Sequence, residues 1–237
     1  VVKFLLGRYV KGKGKEINDG KIAEVKGTAL SINVTLGVPV TIDSLKITEG
    51  ENSENAGGIN ILKGNVTLGP GAVVSGNKAQ QKGGGVYVCS DGRLNMTGGT
   101  ISGNTAGNGS GIYAAGVITM SGNSQVTDDN DVYVTAVEPA PIVITGALNA
   151  DNVARITPDD YEYFESNPLI AFDGDAGFTD DDIAELCGKF SVTPYEDYYY
   201  AVNAEENSNG GVDGYLQSRY PVDFVYYEYD ETTHEQK

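Results

Sequence analysis

The chain of 237 residues has no tryptophan, a single histidine and only two cysteines. Two cysteines, Cys89 and Cys187, are too few for a disulfide-stapled scaffold, and Cys89 falls in a strand whose neighbours are apolar, which reads as a buried thiol. His234 sits in a polar stretch with no serine or cysteine nucleophile in a recognisable setting, so it does not point to nucleophilic catalysis. Basic residues are scarce as well: 16 Lys and Arg stand against 33 Asp and Glu, a formal charge of −17. That balance excludes a nucleic-acid partner, because binding phosphates needs positive faces. No apolar run is long enough to span a membrane. Val1 to Arg8 is too short and too charged for a signal peptide, and without an initial Met the chain reads as a piece of something larger.

The scarcity of helical periodicity before residue 150 is the most telling absence. In its place a unit of three short alternating strands recurs. Its copies open on Gly57-Gly58-Ile59-Asn60-Ile61, Gly84-Gly85-Val86-Tyr87-Val88 and Ser110-Gly111-Ile112-Tyr113-Ala114. They continue with Val66-Thr67-Leu68, Leu94-Asn95-Met96 and Ile118-Thr119-Met120. They close on Val74-Ser75-Gly76-Asn77, Ile101-Ser102-Gly103-Asn104 and Val126-Thr127-Asp128-Asp129. Strands this short cannot bury a core alone. If each unit is one coil, every strand pairs with its counterpart in the next coil and the inward side chains stack into aliphatic ladders. The expected fold is therefore all-β, a right-handed parallel β-helix with a small C-terminal β-rich cap. One ladder is expected through Ile59, Val86 and Ile112, a second through Leu68, Met96 and Met120, and a polar one through Asn77 and Asn104 at a turn. The glycines are read as corners that need positive φ. A disordered linker and a flat antiparallel sandwich or barrel are the competing readings; the likeness of successive units argues against both.

The coils are placed over residues 1 to 155, as six or seven turns. A shortened turn is expected at 131 to 152, alternating strands at 29 to 34 and 40 to 47, and a turn at 13 to 19. Residues 156 to 218 form the cap: strands around Ile156, Ile170 and Ser191, a short helix opened by Thr179 with Asp180, Asp181 and Asp182 in its first turn and closed at Gly188, and a hairpin flanking 203 to 211. Residues 219 to 237 form a tail that alternates like the first strand of a following module. Charge is uneven: residues 1 to 26 hold seven basic against three acidic residues, whereas 151 to 237 hold four against twenty-one. Weak end-to-end self-association of an otherwise monomeric chain is one consequence to test.

The Gly-Gly-Ile and Gly-Gly-Val openings with Ser-Gly-Asn closings resemble the right-handed β-helix repeats of large surface proteins of spirochaetes and gut bacteria. More distantly they are similar to the chlamydial polymorphic outer-membrane protein passengers, with an aliphatic residue where those carry Phe. The resemblance implies a secreted or cell-surface location, an adhesin-like or structural role, and a host or microbial surface glycan or protein as partner. It implies no catalytic residue and no cofactor.

The β-helix also carries polysaccharide lyases and glycoside hydrolases, so a carbohydrate-active enzyme, or a glycan-binding module, is the alternative. The repeats hold one acidic cluster, Asp128, Asp129 and Asp131, with no His or basic pair beside it. Adjacent strand residues face opposite sides, which does not suit a catalytic carboxylate pair. These three aspartates are the metal candidates, for calcium, although they lack the spacing of a calcium loop; a solvated turn is the plainer reading. Asp173 with Asp175, and Asp180 to Asp182, are further acidic runs. The sequons at Asn33, Asn65 and Asn95 follow from Asn and Thr on outward strand faces. No catalytic residue is assigned.

Overall fold

The computed structural model describes residues 29–33, 39–138 and 140–219, with the backbone of six outlying strands: Val2–Phe4, Tyr9–Lys11, Lys13–Asn18, Lys21–Lys26, Tyr229–Asp230 and Glu235–Gln236. Parallel strands stack into a β-solenoid. Its first face runs through Ile59, Val86, Ile112, Val132, Ile156 and Val192, each paired in register with the next. The second runs through Val40, Val66, Leu94, Ile118, Ile142 and Ile170. The third stacks Lys46–Thr48, Val73–Ser75, Thr100–Ser102 and Gln125–Val126. The expected aliphatic ladders are therefore present, and the shortened turn lies where expected, with Val132 paired to Ile112 and Ile142 to Ile118. Every ladder residue from Ile59 to Ile144 on the first two faces is at most 1 % exposed. Burying a Val, Leu or Ile side chain is worth about 1.5–3 kcal/mol, so this column carries the stability of the coil.

The repeated Gly-Gly is explained by close approach rather than by positive φ. A Cβ on Gly85 would lie 2.6 Å from the carbonyl oxygen of Gly111 and 2.9 Å from the Asn104 amide nitrogen. Positive φ belongs instead to other glycines of the repeat, among them the one before the asparagine, 60° at Gly103, and the one just ahead of the pair, 68° at Gly83. Against that packed corner the asparagines form the expected ladder, with a third member. Asn77 donates from its backbone N–H and from Nδ2 to Asn104 Oδ1, both at 3.0 Å. Asn104 makes the same pair of bonds to Asn130 Oδ1, at 3.1 and 3.0 Å. The three are 2 %, 5 % and 0 % exposed.

Differences from the sequence reading appear upstream. The turn expected at 13 to 19 is not found over 13 to 18: Lys13–Asn18 is a strand, antiparallel to Lys21–Lys26, and Asp19 lies outside the described residues. Asn18-Asp19-Gly20 is hairpin chemistry. Lys13–Asn18 also pairs in parallel with Leu30–Asn33, and the stack makes about five turns rather than six or seven. The alternation over 40 to 47 is also not one strand. It breaks into Val40–Ile42 and Lys46–Thr48 at Ser44, whose φ of 51° turns the chain from the second face to the third.

The parallel ladders run on past residue 155 through Ala154–Pro158, Ile170–Phe172 and Phe190–Val192. They end against one antiparallel hairpin, Tyr199–Glu206 with Val212–Arg219. Its first strand pairs with the last first-face strand at Ser191, and its second with the last second-face strand at Ile170, so it covers two edges that would otherwise be open. Helix α2 (Asp180–Gly188) has the expected Thr179 cap, completed into a capping box by Asp182, and buries Ile183, Leu186 and Cys187. Helix α1 (Tyr161–Ser166), capped by Asp160, was not expected; six residues are too few to show a helical period. The strand expected over 220 to 230 lies outside the described residues except for Tyr229–Asp230, and His234 lies outside them altogether.

Candidate functional site

On the first face the middle residue of each strand points outward. In register these residues are Ser31, Asn60, Tyr87, Tyr113, Tyr133 and Thr157. Parallel strands lie about 4.8 Å apart, close to the stacking distance of aromatic rings, so three tyrosines in register must stack. Tyr87 and Tyr113 have centroids 5.3 Å apart at 15°, and Tyr113 and Tyr133 5.1 Å apart at 9°. Lys82 reaches this stack with Nζ 4.6 Å from the Tyr113 centroid, and its hydrogen bond to Tyr113 raises its pKa.

After Tyr133 the ladder narrows to Thr157, whose hydroxyl is 2.6 Å from that of Thr193. The small side chains leave space above them, and the cap supplies its walls. Asp160 Oδ1 accepts the Tyr163 backbone N–H at 3.0 Å and starts α1, while buried Phe164 anchors it. Tyr161, the first residue of α1, donates its hydroxyl to the Thr193 carbonyl at 2.8 Å. Tyr195 stacks on Tyr161 at 5.0 Å, and Tyr200 is tilted against it at 4.8 Å. Tyr195 and Tyr198 exchange backbone hydrogen bonds across a tight turn in which Glu196 has φ 52°. The result is a cleft of about 790 Å³, lined by Tyr133, Tyr161, Tyr195, Tyr198 and Tyr200 and by the carboxyls of Asp159, Asp160, Glu162, Glu165 and Glu196. Among its described lining residues there is no Lys, Arg or His. Partial burial, reinforced by neighbouring Asp160, pushes the Asp159 carboxyl up, and burial takes the Tyr161 hydroxyl to about 12.

The candidates named from sequence lie elsewhere and are tied into turns. Asp128 Oδ1 accepts from Asn152 Nδ2 at 2.6 Å, toward the following turn. Asp129 Oδ2 accepts the Gly103 N–H at 2.7 Å, and its other oxygen accepts the Thr127 hydroxyl. Asp131 Oδ1 accepts both the backbone N–H and the hydroxyl of Ser110, at 2.7 and 2.6 Å. Asp129 does not take the ladder position aligned with Asn104; an extra residue hands it to Asn130. Asp173 caps a single 3-10 turn through the Asp175 N–H, and Asp182 serves the α2 capping box, where its bonds to Thr179 hold its carboxyl below the usual range. Cys89 is half-buried rather than enclosed in the apolar column, because it lies past the strand on the outward side beside Tyr87; Cys187 is buried, and both are free thiols. Among the described residues no group of three or more His, Cys, Asp or Glu is placed to hold a metal ion.

Sequence reasoning missed the cleft. Its tyrosine stack was visible in Val-Tyr-Val, Ile-Tyr-Ala and Val-Tyr-Val at one repeat position, but its acidic walls come from aperiodic cap segments. Among the described residues no helix is long and apolar enough to cross a membrane. No family model, curated protein or solved structure matches this chain.

Proposed function

We propose that the chain is a non-enzymatic, secreted or cell-surface β-solenoid module, an adhesin-like or structural stalk domain of a larger bacterial protein. One observation carries this reading. The acidic cluster of the repeats, Asp128, Asp129 and Asp131, is spent on hydrogen bonds that join adjacent turns. Coils joined along their length by parallel strand ladders, and here also by these carboxylates, make a stiff rod, and the outward tyrosine face and cap cleft give that rod a surface for contact. A second reading, a carbohydrate-active enzyme, draws on the five carboxyls in the cleft and the raised pKa of Asp159. It is the weaker one, because the described lining supplies no His, Arg or Lys to work with those acids.

Beads coated with the protein test the contact role on epithelial and bacterial cells. They are expected to be retained above beads carrying an unrelated acidic protein. Equal retention on every surface would overturn the adhesive reading.

A further inference from the structure

The cleft pairs electron-rich rings with negative charge and, among its described lining residues, has no positive partner of its own. Five tyrosines and five carboxyls line it. The ring faces along the Tyr87–Tyr113–Tyr133 stack are largely covered by one another, which makes the stack a poor platform for a sugar ring. Beyond Tyr133 the ladder continues with Thr157, so a second ring face is turned toward the cleft. Tyr195 stands at the rim, 51 % exposed. The same tyrosine ladder already takes one ammonium group, that of Lys82 beside Tyr113. A cation near a tyrosine face is attracted by the ring quadrupole, and nearby carboxylates add hydrogen-bond acceptors for its N–H groups. The volume is several times that of an ammonium group and fits a side chain entering with its flanking backbone.

We propose that this cleft is a docking site for a lysine side chain of a partner polypeptide, its ammonium seated among Tyr133, Tyr161 and Tyr195 and its charge met by Asp159, Glu165 and Glu196. Lysine fits better than a quaternary ammonium because the walls offer carboxylate acceptors that only N–H donors can use. The inference extends the surface-module reading by naming what the surface grips.

Calorimetric titration of the full chain with end-blocked tetralysine tests it, with acetylated tetralysine, tetramethylammonium chloride and a neutral chito-oligosaccharide as comparison probes. Tetralysine is expected to bind and the other three to bind at least tenfold more weakly. Tyr195→Ala is expected to weaken tetralysine about two- to fivefold, the size of an exposed cation–π contact. Glu196→Gln, which preserves the side-chain shape, should weaken it as well, whereas Asp181→Asn on the outer side of α2 should not. Equal binding of the acetylated peptide, of tetramethylammonium or of the oligosaccharide would overturn the proposal. So would equal weakening by Asp181→Asn and Glu196→Gln, which would mark general attraction to an acidic surface. If tetralysine does not bind and no polysaccharide is cleaved, this inference alone falls; cleavage of a polysaccharide would instead remove the surface-module reading.

Discussion

Replacing Asn104 by aspartate changes one NH2 group for an oxygen at the centre of the asparagine ladder. In the native coil Nδ2 donates to the Val74 carbonyl and to Asn130 Oδ1, both at 3.0 Å, while Oδ1 accepts twice from Asn77. Asn104→Asp keeps the acceptor but points a second oxygen at two oxygens, in a site 5 % exposed. A buried charge without a counter-ion costs about 3–5 kcal/mol, which in a chain of this length lowers the melting temperature by on the order of 10 °C. The loss should depend on pH in a defined direction. The introduced carboxyl has a folded pKa raised above its unfolded value, so its penalty is complete above the folded pKa and fades as pH falls toward the unfolded one. Once protonated, it can donate to one of the two oxygens again. Asn104→Ala instead leaves the Asn77 N–H without its acceptor and costs about 2–4 kcal/mol at every pH, from the lost bonds and the space left. Urea unfolding followed by circular dichroism at pH 7 and pH 5, each variant compared with wild type at the same pH, separates the two. An aspartate variant as stable as wild type at pH 7, or one whose deficit does not shrink at pH 5, would refute the argument.

Three further outcomes follow from the same geometry. Val86→Asp puts a charge into a fully buried ladder between Ile59 and Ile112 and should cost at least about 3 kcal/mol; an unchanged melting temperature would argue against the stacked coil. Tyr161 and Cys187 both have folded pKa values raised to about 12, so the stability they contribute is complete below their unfolded values near 10 and 9 and is lost as pH rises toward 12. Urea midpoints should fall from pH 9 upward, and a level profile to pH 11 would contradict the burial of these groups. Glu196→Gly relieves a non-glycine residue of φ 52° and should stabilise the cap by about 1 kcal/mol while weakening tetralysine; hydrogen exchange around Tyr195 and Tyr198 and the same titration check the two halves.

The coil was legible because burial repeats with the chain. Ile59, Val86 and Ile112 return at nearly constant spacing, as do Leu68, Met96 and Met120, and parallel pairing turns that spacing into register. Where spacing slips, reading fails. Asn130 comes four positions after Val126 where Asn104 comes three after Ile101, so equal spacing points to Asp129 rather than to the third ladder asparagine. Backbone geometry was less readable still. Ser44 turns a corner inside an apparently continuous alternation, and the paired glycines make room for a neighbouring turn that a local reading does not contain. The cleft depends on Tyr161, Tyr195 and Glu196 meeting Tyr133 across segments that share no period, and nothing local announces that they meet.

The measurement that bears most directly on a scaffold rather than a catalyst is a product assay on pectin and glycosaminoglycan chains, reading new reducing ends and unsaturated ends. With the carboxylates of the repeats engaged in turn bonds, wild type, Asp129→Asn and Asp181→Asn should all leave the polymers intact. Cleavage of either polymer by wild type would contradict the account, and its loss in Asp129→Asn but not in Asp181→Asn would place the activity at the acids of the repeats.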